Sequence, residues 1–298
     1  MSGDAGGAGG LRRTLTVRAT GPLALLEDLG RPGLAGLGVG RSGAADRGAL
    51  RLANRLLGNP EGATCVEVTA GGLDLEVGDA AVTFCVSGAR GEITVDGRAV
   101  GSHGVVHAPA GSRVRLGPPE VGLRSYLAVR GGVVADPVLE SASRDVLSGL
   151  GPEPLSVGAV LAVGADPGTT LPGADVVPWP PAADPVVLHA VRGPREDRVE
   201  DADLLVRTTW RTTDRSNRVG ARLEGGRFRH TGQDQLPSEG VWRGAVQVPP
   251  SGEPVLFLAD HPVTGGYPVV AVVVDADVDR AAQLRPGDAV AFRWVPAP

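Results

Sequence analysis

The chain contains no lysine, so all 29 basic residues in its 298 are arginine. That absence removes a Schiff-base amine nucleophile, a phosphate-loop lysine and any attachment point for biotin on this chain. Biotin arriving on another protein is not excluded. Cysteine is almost as scarce. Cys65 and Cys85 both sit in apolar runs, and free cysteines in such runs are expected as buried thiols, not as a disulfide framework. No apolar run approaches the roughly 20 residues of a membrane helix. The first ten residues lack the basic-then-apolar layout of a signal peptide, so cytoplasmic residence without a membrane partner is the expectation. Neither HExxH nor CxxC occurs. His103 and His107 are separated by Gly104-Val105-Val106, which favours strand or turn over helix, so no metal site is expected. GxxxxGK[ST] and GxSxG are also missing, which removes a phosphate loop and a nucleophile elbow. A net charge of −5 argues against nucleic acid as a partner.

What is present is mostly short strands. Residues 13–19 alternate polar and apolar side chains and predict a strand. The glycine-dense stretch 20–40 predicts loop. Residues 46–57 predict a helix, with Asp46 as N-cap, Leu50, Ala53, Leu56 and Leu57 on one face, and Gly58 at the exit. Its other face, Arg47, Arg51, Asn54 and Arg55, is expected in solvent. Strands follow at 65–69, 73–77, 81–86, 92–95, 105–108, 112–116, 125–129 and 156–163, punctuated by Gly71-Gly72, Gly78-Asp79 and Asp96-Gly97. Such spacing points to a barrel or sandwich. Residues 143–150 are expected as a short helical turn.

The organisation expected is a disordered tail at 1–12, a first β domain at 13–165, a proline-rich linker at 166–185, and a second β domain at 186–298. Within the second, 208–224 is a polar island, 269–274 and 289–294 are apolar strands, and 277–284 forms helical turns. A Gly-Asp turn between apolar strands recurs in both halves and hints at two related barrels.

Candidate chemistry gathers in three places. Residues 245–248 and 255–259 predict a hairpin across Pro249-Pro250-Ser251-Gly252. Ser238 and Glu239 precede it, Gln247 interrupts its first run, Asp260 and His261 end its second, and Thr264-Gly265-Gly266-Tyr267 follow. Strand alternation places Val246 and Val248 toward a core and Gln247 toward a cleft shared with Glu239, Asp260 and Tyr267. In the second place, Asn217, Arg218 and Arg222 offer amide and guanidinium groups suited to carboxylate or phosphate. The plainer reading pairs Arg215 and Arg222 with Asp214 and Glu224 at the surface. In the third, Arg41 and Ser42 precede the helix N-terminus at Asp46 and suit an anion, with simple capping as the plainer reading.

Several stretches together resemble one family. They are Glu27-Asp28-Leu29-Gly30-Arg31-Pro32-Gly33, Arg41-Ser42-Gly43-Ala44 with Asp46, Ala53-Asn54 with Gly58-Asn59, and Leu127-Ala128-Val129-Arg130-Gly131-Gly132. They continue with Ser216-Asn217-Arg218-Val219-Gly220, Ser238-Glu239-Gly240, Gln247-Val248-Pro249 and Thr264-Gly265-Gly266-Tyr267-Pro268. In this order they are similar to the allophanate-hydrolase-subunit-2-like, carboxyltransferase-domain family.

The resemblance implies a mainly β fold of two barrel-like halves, the C-terminal one cyclophilin-like, with a few short helices. It implies ATP-dependent opening of 5-oxoproline to glutamate, with ATP and Mg shared with partner chains. Those partners are a companion of the subunit-1 or subunit-B type and a separate lactam hydrolase of the subunit-A type. Two alternatives stay open: the carboxyltransferase component of a biotin-dependent urea or amide carboxylase, and a regulatory binding protein without catalysis. At the matching positions, Arg218, Arg222 and Asn217 are expected to hold an anion together with Arg41, Ser42 and Ser238. Glu239 or Asp260 is expected to manage protons, and Gln247 and Tyr267 to orient the substrate. The chain departs from the family pattern at Glu27, where glutamine is common, at Ala221, at Trp242-Arg243, and in the loop Glu140-Ser141-Ala142-Ser143-Arg144, which is left out of the expected site.

Overall fold

The computed structural model describes residues 13–173, 177–179, 182–232 and 236–297. The expected tail at 1–12 lies outside the described residues. The fold is mainly β, in two barrel-like halves. In the first, a ten-stranded sheet runs in the order Leu23–Glu27, Cys65–Thr69, Arg113–Val129, Leu73–Val77, Thr14–Thr20, Val160–Val163, Val133–Val134. Val82–Val95 branches from it by pairing with Arg113–Val129. The alternating side chains of Leu73–Val77 show how the core forms: Leu73, Leu75 and Val77 are buried and the residues between them are not. They pack with Leu15, Val17, Phe84, Val114 and Leu127.

Three expectations change here, and a fourth is narrowed. The strands at 81–86 and 92–95 are one strand, Val82–Val95, and those at 112–116 and 125–129 are one strand, Arg113–Val129. The residues between the expected pieces, Gly88 and Gly91 with Pro119 opposite, lie at register shifts within one long ribbon, which bends there and continues. The stretch expected as loop at 20–40 contains the strand Leu23–Glu27, paired with Cys65–Thr69. At 143–150 the expected helical turn is a single one, closed by Gly149 N donating to Asp145 O at 2.9 Å, and it goes no further. Asp145 Oδ1 accepts from the backbone N–H of Leu147 at 2.9 Å and of Ser148 at 3.1 Å, and this side-chain turn competes with helix.

The helix spans Arg47–Leu56, with Ala49 N donating to Asp46 Oδ1 at 2.8 Å. Leu50, Ala53, Leu56 and Leu57 pack on Cys65, Cys85, Tyr126 and Ala128. Each large side chain so buried contributes roughly 1.5–3 kcal/mol. Both cysteines are free and buried, and burial pushes the Cys85 thiol up to about 12. The supposed solvent face is only half exposed. Asn54 is fully buried and donates to Ala63 O at 2.7 Å, and Arg47 is buried against the second half.

That second half is a closed barrel in the order Val186–Arg192, Val269–Val273, Ala245–Gln247, Val255–Phe257, Gly220–Glu224, Trp210–Thr212, Ala289–Trp294. The last strand runs parallel to the first and closes the ring. The polar island at 208–224 therefore supplies two barrel strands. Its inward residues, Trp210, Ala221 and Leu223, are core, and the charges that hid the pattern point outward. Ala221 thus departs from the family pattern inside the core. The expected helical turns are the helix Asp275–Ala281. Among the described residues no helix is long and apolar enough to cross a membrane.

Candidate functional site

Two loops of the first half cross at their glycines. Gly43 has φ 91°, and a Cβ there would lie 2.7 Å from Gly30 N, so only glycine allows this contact. The crossing fixes Ser42 at φ 54° and aims its hydroxyl at the second half, where Ser42 Oγ donates to Asp260 Oδ1 at 2.6 Å. Arg218 reaches the same place from the barrel. Its Nε donates to Asp260 Oδ2 at 2.8 Å and its Nη2 to Gly43 O at 2.7 Å. Nη1 pairs with Glu67, and Nη2 lies 3.1 Å from Glu27 Oε1. Tyr126 Oη donates to Glu67 Oε2 at 2.8 Å.

Arg218, Asp260, Glu27 and Glu67 are each 2% exposed or less. Burial opposes the charge on Arg218, yet Asp260, Glu27 and Glu67 together hold its pKa well above the ordinary value. Burial pushes Glu27 well above the usual carboxylate range, with Arg218 opposing and Glu67 adding to it. Burial also acts to raise Glu67, but Arg218 and Arg124 outweigh it and hold Glu67 low.

Three of the expected site residues, Ser42, Arg218 and Asp260, therefore do meet, but in a buried ion cluster joining the halves. Every edge of the Arg218 guanidinium faces a protein oxygen. The expectation that Arg218 holds a substrate anion gives way, and so does proton exchange by Asp260, because both groups are engaged with each other. The loop left out of the site belongs to this cluster's support. Ser141 Oγ, Ser143 Oγ and Ala142 N all donate to the Asp28 carboxylate at 2.6–2.7 Å, and Val146 N donates to Asp260 Oδ2 at 3.1 Å.

The other expected residues lie outside this cluster. Glu239 is held by Arg195, whose Nε lies 3.1 Å from both carboxylate oxygens, and is no free base. Asn217 Oδ1 closes a turn by accepting from Val219 N at 2.8 Å. Arg222 and Ser238 are exposed. The surface pairing expected for Arg215 goes instead to Glu253, at 3.3 Å. Arg41 is half-buried, and burial lowers its pKa.

Val246 and Val248 face the barrel core, and Gln247 lies on the other side of the strand. It is buried, and its Nε2 donates to the Tyr267 carbonyl at 3.0 Å. Gly265 lies against the same amide and pairs with Glu239, so Gln247, Glu239 and the Tyr267 backbone come together as expected, while Asp260 is committed to Ser42 and Arg218. The Gln247 amide holds the turn Thr264-Gly265-Gly266-Tyr267. Gln247→Leu is expected to lower stability by about 1 kcal/mol, the usual worth of such a bond. A urea midpoint unchanged from wild type would exclude this role.

The concave site lies elsewhere. A cavity of about 620 Å³ opens between the halves, bounded by Asp46, Ala49 and Leu52 of the helix, by His103 and Trp179, and by Asp279, Gln283 and Leu284 of the second half. Gln283 Nε2 donates to Asp46 Oδ2 at 2.7 Å. Asp279 accepts from the backbone N–H of Arg47 at 3.0 Å and of Gly48 at 2.9 Å, so it caps the helix from across the interface. Arg243 Nη2 donates to Asp279 Oδ1 at 2.5 Å and to Ala45 O at 3.0 Å, which gives the unusual Arg243 a cross-half role, while Trp242 is 74% exposed.

Burial, and then the neighbouring Asp279, raise Asp46 from 3.8 to about 7, against the bonds from Gln283 and Ala49. A carboxyl so poised takes and gives a proton near neutrality. His103 is stacked on Trp179 at 3.7 Å. Its Nδ1 faces the Val177 carbonyl at 3.3 Å, so Nδ1 carries the proton, and burial lowers its pKa and keeps the ring neutral.

The sequence marked Asp46 only as a cap. Asp279 and Gln283 carried no expectation, although their spacing of four places them on one side of the helical turns.

The profile of the carboxyltransferase domain, subdomain A and B, matches residues 37–294. The chain is 34% identical over 285 residues to the 5-oxoprolinase C subunit of Escherichia coli (strain K12), covering 93% of this chain and 90% of that protein. The crystal structure of TTHA0988 superposes with a TM-score of 0.86 at 33% identity, over 95% of this chain and 56% of that chain. The crystal structure of the Kluyveromyces lactis urea carboxylase gives a TM-score of 0.86 at 26% identity, over 97% of this chain and 28% of that chain. The chain thus spans about half of the first of these structures and little more than a quarter of the second.

Proposed function

This chain belongs to the carboxyltransferase-domain family of subdomains A and B, and on that premise we propose that it is the C-type component of an ATP-dependent 5-oxoprolinase. In that reaction water is added across the lactam C–N bond of 5-oxoproline to give glutamate, and ATP is hydrolysed. The observation that carries this reading is the near end-to-end similarity to a protein of that name, at 34% identity over 90% of its length. The likeness to urea carboxylase is at lower identity and to a fraction of that chain.

The donor set of this chain does not by itself suit ATP and Mg. It has no lysine, Arg218 is enclosed, and no group of three metal-ligating side chains occurs among the described residues. Nucleotide contact by this chain therefore falls to arginines and backbone amides, on a surface shared with partner chains. The partners expected are a companion of the subunit-B type and a lactam hydrolase of the subunit-A type, working in the cytoplasm. What this chain contributes is the cavity between its halves and the near-neutral carboxyl of Asp46.

The purified chain is expected to form a stable complex with its companion, and to show no turnover of 5-oxoproline alone. Adding both partners should couple ATP hydrolysis to glutamate formation. Full turnover by the single chain would refute this assignment. The urea carboxylase likeness supports one second reading, a carboxyltransferase that receives carboxyl-biotin from another chain. Transfer from free carboxyl-biotin to urea, without response to 5-oxoproline, would favour that reading. Complex formation with neither activity would favour a regulatory binding protein.

A further inference from the structure

The walls of the interface cavity are chemically sorted. Its buried part is acidic and apolar. Asp46, 9% exposed, accepts one bond on each oxygen, from Ala49 N on one and from Gln283 Nε2 on the other. A carboxylate oxygen accepts two, so each keeps a lone pair in reserve. Beside it, Ala49, Leu52 and Leu284 supply hydrocarbon.

The outer part is rich in guanidinium. Arg90 and Arg211 line the cavity and are exposed. Arg90 forms no ion pair among the described residues, and Arg211 makes one bond there, from Nη1 to Gly287 O at 3.0 Å. Arg285 joins them, its Nη1 donating to Glu120 O at 2.9 Å. The outer part is not purely basic, for Glu120, Asp184 and Asp288 also line it, but Asp288 is engaged by Arg285 N at 2.8 Å.

The geometry points to this cavity as the binding site of a small molecule that carries an amide N–H at one end and a carboxylate at the other. The N–H is directed to Asp46 and the carboxylate to the outer arginines. A carboxylate placed at the inner end would meet the buried Asp46 carboxyl, whereas an amide N–H finds an acceptor there. At the outer end Arg90 and Arg211 offer the planar guanidinium groups that suit a carboxylate. A volume of about 620 Å³ lies within the range of small-molecule sites and has Leu52 and Leu284 among its apolar lining. The choice of a cyclic amide acid as probe rests on the 5-oxoprolinase reading, while the sorting of the walls does not.

The test is calorimetric titration of the full chain, and of its complex with the companion chains, with three probes. These are 5-oxoproline, 2-pyrrolidinone (the same ring without a carboxylate) and N-acetylglycine (amide and carboxylate without the ring). Leu52→Trp fills the cavity, and Arg90→Ala with Arg211→Ala removes two exposed guanidinium groups without touching the core. The filled variant is expected to bind 5-oxoproline at least tenfold more weakly. The double arginine variant is expected to lose about tenfold for 5-oxoproline while its affinity for 2-pyrrolidinone is unchanged. Binding of N-acetylglycine that Leu52→Trp abolishes, with none of 5-oxoproline, would uphold the site and remove the 5-oxoprolinase reading. Wild-type affinity for 5-oxoproline in both variants, or no binding of any probe by chain or complex, would overturn the site itself. Should Leu52→Trp fail to fold, the surface double variant alone decides: equal affinity for 5-oxoproline before and after substitution overturns it.

Discussion

Arg218→Met is expected to destabilise the protein by about 3–5 kcal/mol, the cost of stranding buried charge after one partner of an ion pair is removed. The substitution keeps most of the side-chain length but leaves Glu67 and Asp260 facing each other across an apolar gap. Both are within hydrogen-bonding reach of Arg218 and almost fully enclosed. Arg218→Lys should fall between the two proteins. Its ammonium restores charge but does not span Glu67, Asp260 and the Gly43 carbonyl at once, as the planar fork does. Urea unfolding at neutral pH measures this directly, with the midpoint shifted and the slope preserved. The exposed Arg215, paired with Glu253 at 3.3 Å, is the control, and Arg215→Ala should stay within about 0.5 kcal/mol. A loss below about 1 kcal/mol for Arg218→Met would mean that water or a shifted backbone satisfies the carboxylates, and that the cluster does not hold the halves together.

The second large effect is a dependence on pH. Folding raises the pKa of Asp46 from 3.8 to about 7, through burial first and the charge of Asp279 second. The folded state thus binds a proton more tightly than the unfolded chain does. The stability contributed by that proton is complete below about pH 4 and is lost as pH rises through about 7, in total on the order of 4 kcal/mol. Asp46→Asn removes the titration while retaining a good N-cap. The difference in unfolding free energy between wild type and Asp46→Asn should therefore move steadily against wild type from pH 4 to pH 8. Measuring both proteins across that range cancels the other titrating groups. Curves that run parallel would show that Asp46 is not proton-linked to folding.

Local pattern was legible where one element determines it. The helix with its Asp46 cap, the hairpin around Pro249-Pro250, and the inward Val246 and Val248 follow from periodicity and turn chemistry within a few residues. Strand ends were not legible at Gly88, Gly91 or Pro119, because the residues that end a strand also bulge one. What separates the two outcomes is whether a partner strand continues opposite, as Arg113–Val129 does opposite Val82–Val95.

The site was harder for a related reason. The fork of Arg218 suits a substrate carboxylate and a protein carboxylate equally, and its partner Glu67 is 151 residues away in sequence. Glu27 departs from the family pattern and adds a third carboxyl beside that fork, which burial drives toward its neutral form. Asp46 is the converse case. The sequence assigned it a correct and ordinary role as a cap, and only the approach of Asp279 and Gln283 from the other half turns that cap into the wall of a cavity.

The helix Arg47–Leu56 starts in one half and is capped by Asp279 of the other, which limits how this architecture is inherited. Neither half is a portable module. Recombination within the proline-rich segment would give one descendant a helix whose Arg47 and Gly48 amides lack the Asp279 acceptor, and the other an Arg218 that keeps Asp260 but loses Glu27 and Glu67.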